Sequence, residues 1–398
     1  MSQTFRFNRM EVAGSLGDLG TLLPIAVAMV LVNGLNPLGV FLSIGLFFIL
    51  SGLYFGVTVP VQPMKVIGAY AIATSLSAEQ IVASSLLMGV VLLVLGASGA
   101  IDVIRKATPK AVIRGVQLST GALLIAGGVR FIAGNSRFQQ LHEAVEPHLA
   151  WQTLGPIPLS LVIGGLAAVV TLFFLDNAKY PAGLVVVIGG LVAGLLLGAR
   201  ADVGAGIGLH LPQLLPFGFP AKADFTFALF ALVLPQIPMT LGNAVLAYTD
   251  LSRQYFGPAS HKVTNRRVCL SMAFANFMSF MLGGMPMCHG AGGLAAHFRF
   301  GARTAGSNLV IGLAFTLLAL FLGNSVIEVF HLLPLSILGV LLVFAGSQLT
   351  LTVMDLSARK DFFVCTLILG ITLASNLAAG FLIGMLVAQL LKWDKLAV

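Results

Sequence analysis

The sequence predicts an all-α integral membrane protein of 14 transmembrane segments, built as two inverted seven-helix repeats with half-helices at spans 3 and 10. Three observations predict it. Apolar stretches of 17 or more residues recur along a 398-residue chain that is 58% hydrophobic and only 9% charged, with a mean hydropathy of +1.00, a pattern that no soluble core requires. Two short segments, one in each half, are interrupted by Pro and Gly where a spanning helix would be continuous. The basic residues fall overwhelmingly on one side of the implied crossings.

Taken in order, spans are expected at about 12–33, 37–57, 62–76, 79–99, 110–133, 158–176 and 181–199, and again at about 224–249, 265–283, 287–299, 304–323, 333–354, 361–375 and 377–392. Residues 1–199 make the first repeat, 200–223 a Pro/Gly-rich connector and 224–398 the second repeat. Because seven is odd, the second repeat starts on the opposite side of the membrane, so similar halves would be related by inversion. The polar stretch before the first span is short, and no cleavage site follows it, so no signal peptide is expected.

The breaks carry the functional signal. Gly283, Gly284 and Pro286 interrupt one helix, and only about 13 residues remain before Arg299, roughly 20 Å of helix against ~30 Å of hydrocarbon. Thr58-Val-Pro-Val-Gln-Pro-Met-Lys65 forms the matching break, and each has Pro-Met at the expected helix start (Pro63-Met64, Pro286-Met287). Irregular backbone at membrane depth is tolerated only inside protein or along a polar cavity, and paired interruptions of this kind point to a secondary transporter's site. Two re-entrant loops with purely structural roles are the bland alternative.

Charge placement fixes the direction of each element. With both termini cytoplasmic, 16 of the 22 basic residues lie inside (among them Arg105, Lys106, Lys179 and Lys395), Arg137, Arg200 and Lys222 lie outside, and Lys65, Arg114 and Arg130 lie within spans. The net charge of +8 is then a topology signal, and no nucleic-acid partner is needed to explain it. The two half-helices point their N-termini at each other. With roughly +0.5 from each helix end and +1 from Lys65, the site approaches about +2, which suits a divalent oxyanion. Lys65 needs a partner or a ligand there, unless it snorkels to the surface.

Other candidates flank this centre. Asp18, within Gly14-Ser-Leu-Gly-Asp-Leu-Gly-Thr21, can pair with a base, take up a coupling proton or simply join two helices. Gln236, Thr240 and Asn243 share one helix face and can offer hydrogen bonds to an oxygen-rich solute or to neighbouring helices. His289 beside Cys288 can donate a hydrogen bond, and Gly290 lets a ligand approach the backbone. Thr21 and Gln62 complete the substrate-binding set. His297, Arg299 and Arg303 at the inner end, and Arg114 and Arg130 at the ends of the fifth span, are read as structural or snorkelling.

Thr58 to Lys65, Leu234 to Asp250 and especially Pro-Met-Cys-His-Gly-Ala-Gly-Gly-Leu-Ala-Ala-His-Phe-Arg-Phe-Gly-Ala-Arg from Pro286 to Arg303 resemble the signature segments of the molybdate transporter family related to the sulfate permeases, and Gly17 to Thr21 is similar to that family's first span. The resemblance implies a core domain (spans 1–4 and 8–11), a gate domain (spans 5–7 and 12–14), molybdate uptake by an elevator-like alternating access in the cell membrane, and a homodimer through the gate. The sulfate permeases' soluble regulatory domain is not expected after the last span.

The residues alone reach an anion transporter. Sulfate and tungstate share molybdate's charge and shape, so a broader anion permease is the nearest alternative. A nucleobase or xanthine permease would be expected to place carboxylates in spans 8 and 10, whose interiors carry none, Asp250 lying at the cytoplasmic edge. A membrane-embedded enzyme using Asp18, His289 and Cys288 has no recognised catalytic spacing to support it. Cys269, Cys288 and Cys365 lack the spacing of a zinc site or disulfide framework, and no nucleotide loop is present, so no metal and no cofactor is expected.

Overall fold

The computed structural model describes residues 5–99, 101, 109–175, 177, 180–199 and 207–392. Arg105, Lys106, Lys179, Arg200 and Lys395, counted above, and the start of the 200–223 connector lie outside them. The first half runs through α1 (Arg9–Ser15), α2 (Leu19–Asn33), α3 (Pro37–Phe55), β1 (Gln62–Pro63), α4 (Lys65–Thr74), α5 (Ala78–Ser98), α6 (Lys110–Ile132), α7 (Arg137–Leu141), a hairpin of β2 (Thr153–Leu154) and β3 (Ile157–Pro158), α8 (Leu159–Phe174) and α9 (Ala182–Leu196). The second comprises α10 (Lys222–Ser260), α11 (Asn265–Leu282), β4 (Met287–Cys288), α12 (Ala291–Arg299), α13 (Gly306–His331), α14 (Leu335–Thr350), α15 (Arg359–Ala374) and α16 (Leu377–Leu390).

Among the described residues, six helices are long and apolar enough to cross a membrane, or seven when the bent pair α1–α2 is one span; α4, α8, α9 and α16 are shorter apolar helices. Exposed Leu166, Phe173, Ile188 and Leu196 on α8 and α9 form an apolar exterior that water would not tolerate in such density. The chain is a multi-pass membrane protein. Its helices start and stop by local rules: Asn36 Oδ1 accepts the Gly39 amide at 2.8 Å with Pro37 in the first turn of α3, and Gly56 ends that helix with φ +74°.

Four expected elements differ from the structure. The first span is bent by 43° between α1 and α2. At the bend a Cβ on Gly17 would press on the backbone of Ala296, so the kink lets the chain approach α12 closely. The eighth span is longer than 224–249 and contains π-helical turns at Ala228–Val233 and Thr240–Ala247. Pro235 and Pro238 lie between them, each lacking an amide proton and crowding the preceding turn, and widened turns accommodate this. The half-helices begin later than 62 and 287, because those residues are extended and pair with each other as β1 and β4.

Close packing follows glycine. On α6 and α14 the pairs Gly121/Gly346 and Gly128/Gly339 face one another reciprocally, each so near the other's carbonyl that a Cβ would overlap it. Membrane helices gain little from hydrophobicity against one another, and such small-residue contacts are how they associate. The other extensive contacts in the bundle are α3 on α13 and α5 on α11. The main buried cluster runs from α2 through α3, α4 and α5 to α10 and α11, so the two breaks lie at its centre.

Candidate functional site

The site grows from the two breaks. Thr58 to Met64 and Gly283 to Gly290 are buried throughout, so their backbone groups need partners. They supply some to each other: Gln62 lies opposite Cys288, Pro63 opposite Met287, and the Met64 amide donates to Pro286 O at 2.9 Å. Because this ladder is antiparallel, the two chains leave it in opposite directions, so α4 and α12 start at its opposite ends. The Pro-Met pairs do not open equivalent helices, since α4 follows Met64 directly whereas α12 begins only at Ala291.

Side chains satisfy the rest. Asn276 donates to Met287 O at 2.8 Å and accepts the Met287 amide at 3.1 Å, and Asn308 does the same for Val59, at 2.8 and 2.9 Å. His289, wholly buried, is a brace: Nδ1 bonds Pro60 O at 2.8 Å and Nε2 meets Ser271 Oγ at 3.1 Å. Cys288 Sγ points at Pro63 O, 3.8 Å away. Gln236 Oε1 accepts the amides of Val66 (3.0 Å) and Ile67 (3.3 Å), capping α4, while its Nε2 donates to Thr240 Oγ1 at 2.9 Å. At α12 the N-cap is Gly290, which has no side chain to offer, and among the described residues no other side chain accepts a first-turn amide. The electropositive end left uncapped is therefore that of α12.

Beside these starts lies a cavity of about 320 Å³. From the sequence candidates it gathers Thr21, Lys65 and Asn243, joined by Gly292 of α12. Among the described residues, no carboxylate lies within ion-pair distance of the Lys65 ammonium. The opposite wall is formed by Gln117 of α6 and Phe344, Gln348 and Thr352 from α14 and the turn after it. Gln117 Oε1 is held by Arg114 at 2.7 Å and Thr352 at 3.0 Å, and Arg114 in turn forms a two-pronged pair with Asp355. Sequence reasoning missed this wall. Its only signal was an isolated amide in each of two apolar helices.

The remaining candidates do not line the cavity. Gln62 donates to Asp18 Oδ2 at 2.6 Å, and its own Oε1 is buried without a partner. Asp18 packs against the first turn of α12, where a Cβ on Gly293 would press on Oδ2. Gly290 is needed because any side chain would overlap Gln62 Oε1, so its smallness makes room for a glutamine. Gln236, Thr240, Cys288 and His289 hold backbone or one another. Among the described residues, no group of three His, Cys, Asp or Glu could hold a metal ion.

Comparison with known proteins bears on lineage and fold. A family profile described as "Molybdate transporter of MFS superfamily" matches residues 10–124 and 228–349, more than half of the chain. Molybdate transporter 2 of Arabidopsis thaliana is 30% identical, covering 96% of this chain and 87% of the relative. Molybdate transporter 1 of Chlamydomonas reinhardtii is 29% identical, covering 94% and 90%. In structure, the transmembrane domain of the cyanobacterial bicarbonate transporter BicA superposes with a TM-score of 0.67 at 14% identity, covering 97% of this chain and 98% of that one. Murine Slc26a9, an anion transporter captured inward-facing, gives 0.66 at 15%, covering 98% and 69%. These two likenesses establish a shared fold, and the sequence matches establish the lineage: the chain belongs to the molybdate transporter family.

Proposed function

We propose that the protein is a secondary transporter that takes up a tetrahedral oxyanion, molybdate above all, by alternating access. One observation carries the reading: an ammonium with no carboxylate at ion-pair distance among the described residues and the N-terminal turn of α12 converge on one cavity also lined by neutral amides. Lys65 brings +1 and α12 roughly +0.5, giving about +1.5, because Gln236 has already taken the amides of α4. Asn243 and Gln348 complete the coordination, with Thr21 beside them. The relatives are transporters and not enzymes, and their names supply molybdate as the first substrate to test. Sulfate and tungstate are the dianions of like shape that the same site would admit.

Asp18 is the counter-charge in this reading. Ionised, it would lower the site to about +0.5, a poor match for a dianion; with a proton it restores about +1.5. Protonation would also let the Gln62 amide turn, so that its unpartnered Oε1 accepts the acid proton. Proton symport follows. Several features support 14 crossings in two inverted repeats, 1–199 and 224–398, joined by 200–223: the reciprocal glycine pairs of α6 and α14, the antiparallel β1–β4 ladder, and the α3–α13 and α5–α11 contacts, which exchange when each span is matched with the one seven places on. Spans 1–4 and 8–11 form the core that moves. Spans 5–7 and 12–14 form the gate, through which a homodimer assembles in the cell membrane. Both termini are cytoplasmic.

The test is uptake of radiolabelled molybdate into proteoliposomes, with excess sulfate, tungstate or uracil as competitor. Lys65→Ala removes one charge-assisted contact of about 1.5–3 kcal/mol, so KM should rise roughly 10- to 100-fold. Competition by uracil but by neither oxyanion, or an unchanged KM in Lys65→Ala, would remove the reading.

A further inference from the structure

A second cavity, of about 440 Å³, lies outside the anion site, on the exterior of the helices that carry the breaks. Its walls are two facing stripes at helical spacing: Phe47, Leu50, Ser51 and Tyr54 on α3, and Arg267, Leu270, Ser271 and Phe274 on α11. Leu50, Tyr54 and Phe274 are exposed large apolar side chains, as suits a groove open to hydrocarbon. One end of it is cationic. Arg267 lines that end, and the Lys262 ammonium lies 5.7 Å from the centre of the Tyr54 ring. Among the described residues, neither base has a carboxylate within ion-pair distance.

We propose that this groove binds one anionic phospholipid, its phosphate at Arg267 and Lys262 and an acyl chain along Leu50, Leu270 and Phe274. Charge selects the headgroup. A zwitterionic lipid would bring its own ammonium against two unpaired cations, whereas a phosphatidylglycerol-type headgroup carries only negative charge; basic pockets between membrane helices recognise lipids in this way. The end bearing Arg267 is cytoplasmic in the orientation proposed above, but binding at the groove depends neither on that orientation nor on the transported anion.

The site also has a route to the anion cavity. Ser271, in the groove wall, holds His289 Nε2, and the Phe47 ring lies 4.7 Å from the His289 ring. His289 in turn holds Pro60 O on the extended segment that leads to Lys65. A lipid filling the groove therefore backs the brace of the first break, and its loss would loosen the place where α4 begins.

Native mass spectrometry of the purified full chain, offered phosphatidylglycerol or phosphatidylcholine, tests the proposal. One phosphatidylglycerol per chain should be retained in preference to phosphatidylcholine. The Lys262→Glu/Arg267→Glu double variant should lose it, and Arg359→Glu, outside the groove, should keep it. In case the charge reversal disturbs folding, a Phe274→Trp variant should be quenched by brominated phosphatidylglycerol at least twice as strongly as by brominated phosphatidylcholine. Equal retention of the two lipids, retention by the double variant, or equal quenching would overturn the proposal, whatever the molybdate assay gives.

Discussion

Gln236 separates a strut from a ligand, and the two roles predict opposite measurements. Its side chain bridges 170 residues of sequence to accept the amides of Val66 and Ile67, both wholly buried, at the start of α4. In Gln236→Leu these two amides lose their acceptor where water cannot replace it. Leaving one buried donor unsatisfied costs about 1–3 kcal/mol, so the pair costs about 2–5 kcal/mol after partial relaxation. Gln236→Glu keeps the acceptor oxygens and places a negative charge at a helix N-terminus, which is favourable by ~0.3–1 kcal/mol. Thermal unfolding in detergent should therefore fall by several degrees for Gln236→Leu and hold or rise for Gln236→Glu. Molybdate uptake should nevertheless fall in Gln236→Glu, because the added charge opposes the dianion. A Gln236→Leu protein of unchanged thermal stability with a raised KM would refute the assignment and return Gln236 to the ligand shell.

Other outcomes are equally specific. Asp18→Asn, isosteric and unable to ionise, should abolish stimulation of molybdate uptake by an inward proton gradient while leaving binding measurable; full gradient dependence in that variant would exclude Asp18 as the coupling group. His148, in the loop between α7 and β2, is held at a pKa of about 4, first by burial and then by the neighbouring His331 and His142. With the folded value below the unfolded one near 6.5, the unfolded chain binds more protons between the two. Stability should decline as pH falls from about 6.5 towards 4, by at most about 3 kcal/mol, and His148→Phe should flatten that decline in pH-dependent melting. Gly346→Val should force α14 away from α6, where a Cβ already meets Gly121 O and Ile125, and lower stability by more than about 2 kcal/mol.

Much of the architecture was legible because membrane insertion writes itself into local composition. Apolar runs and Gly/Pro breaks located helix after helix to within a few residues, and a cavity does lie beside the two breaks. What composition could not encode was how the breaks are held. The pairing of Gln62 with Cys288 joins positions more than 200 residues apart, and no periodicity announces a two-residue ladder. Long separation also hid Asn308, which serves Val59 across 249 residues, and made Gln236, 170 residues from Val66, look like a free donor; Asn276 lies only 11 residues from Met287, but an amide in an apolar helix does not announce that it serves the break behind it. Gln117 and Gln348 were passed over for a different reason: a single amide on an apolar helix has the same sequence signature whether it packs a neighbour or faces a cavity.

A physical rule for reading such sites follows from this arrangement. A helix broken at membrane depth leaves amides and carbonyls that must find partners inside the protein, so nearby polar side chains are consumed first by backbone. Asn276, Asn308, His289 and Gln236 are spent in this way, and Ser279 likewise on Met285 O. Only groups left over after that demand are free for a solute. Subtracting them leaves the Lys65 ammonium, the Asn243 and Gln348 amides and the first turn of α12. That remainder is cationic and rich in donors, and its carbonyl oxygens belong to amides that can turn. A neutral planar base would leave the ammonium uncompensated, whereas a tetrahedral dianion answers the charge and offers an acceptor oxygen in every direction, so the residue of this subtraction, rather than the full inventory of polar side chains near the breaks, is what favours an oxyanion.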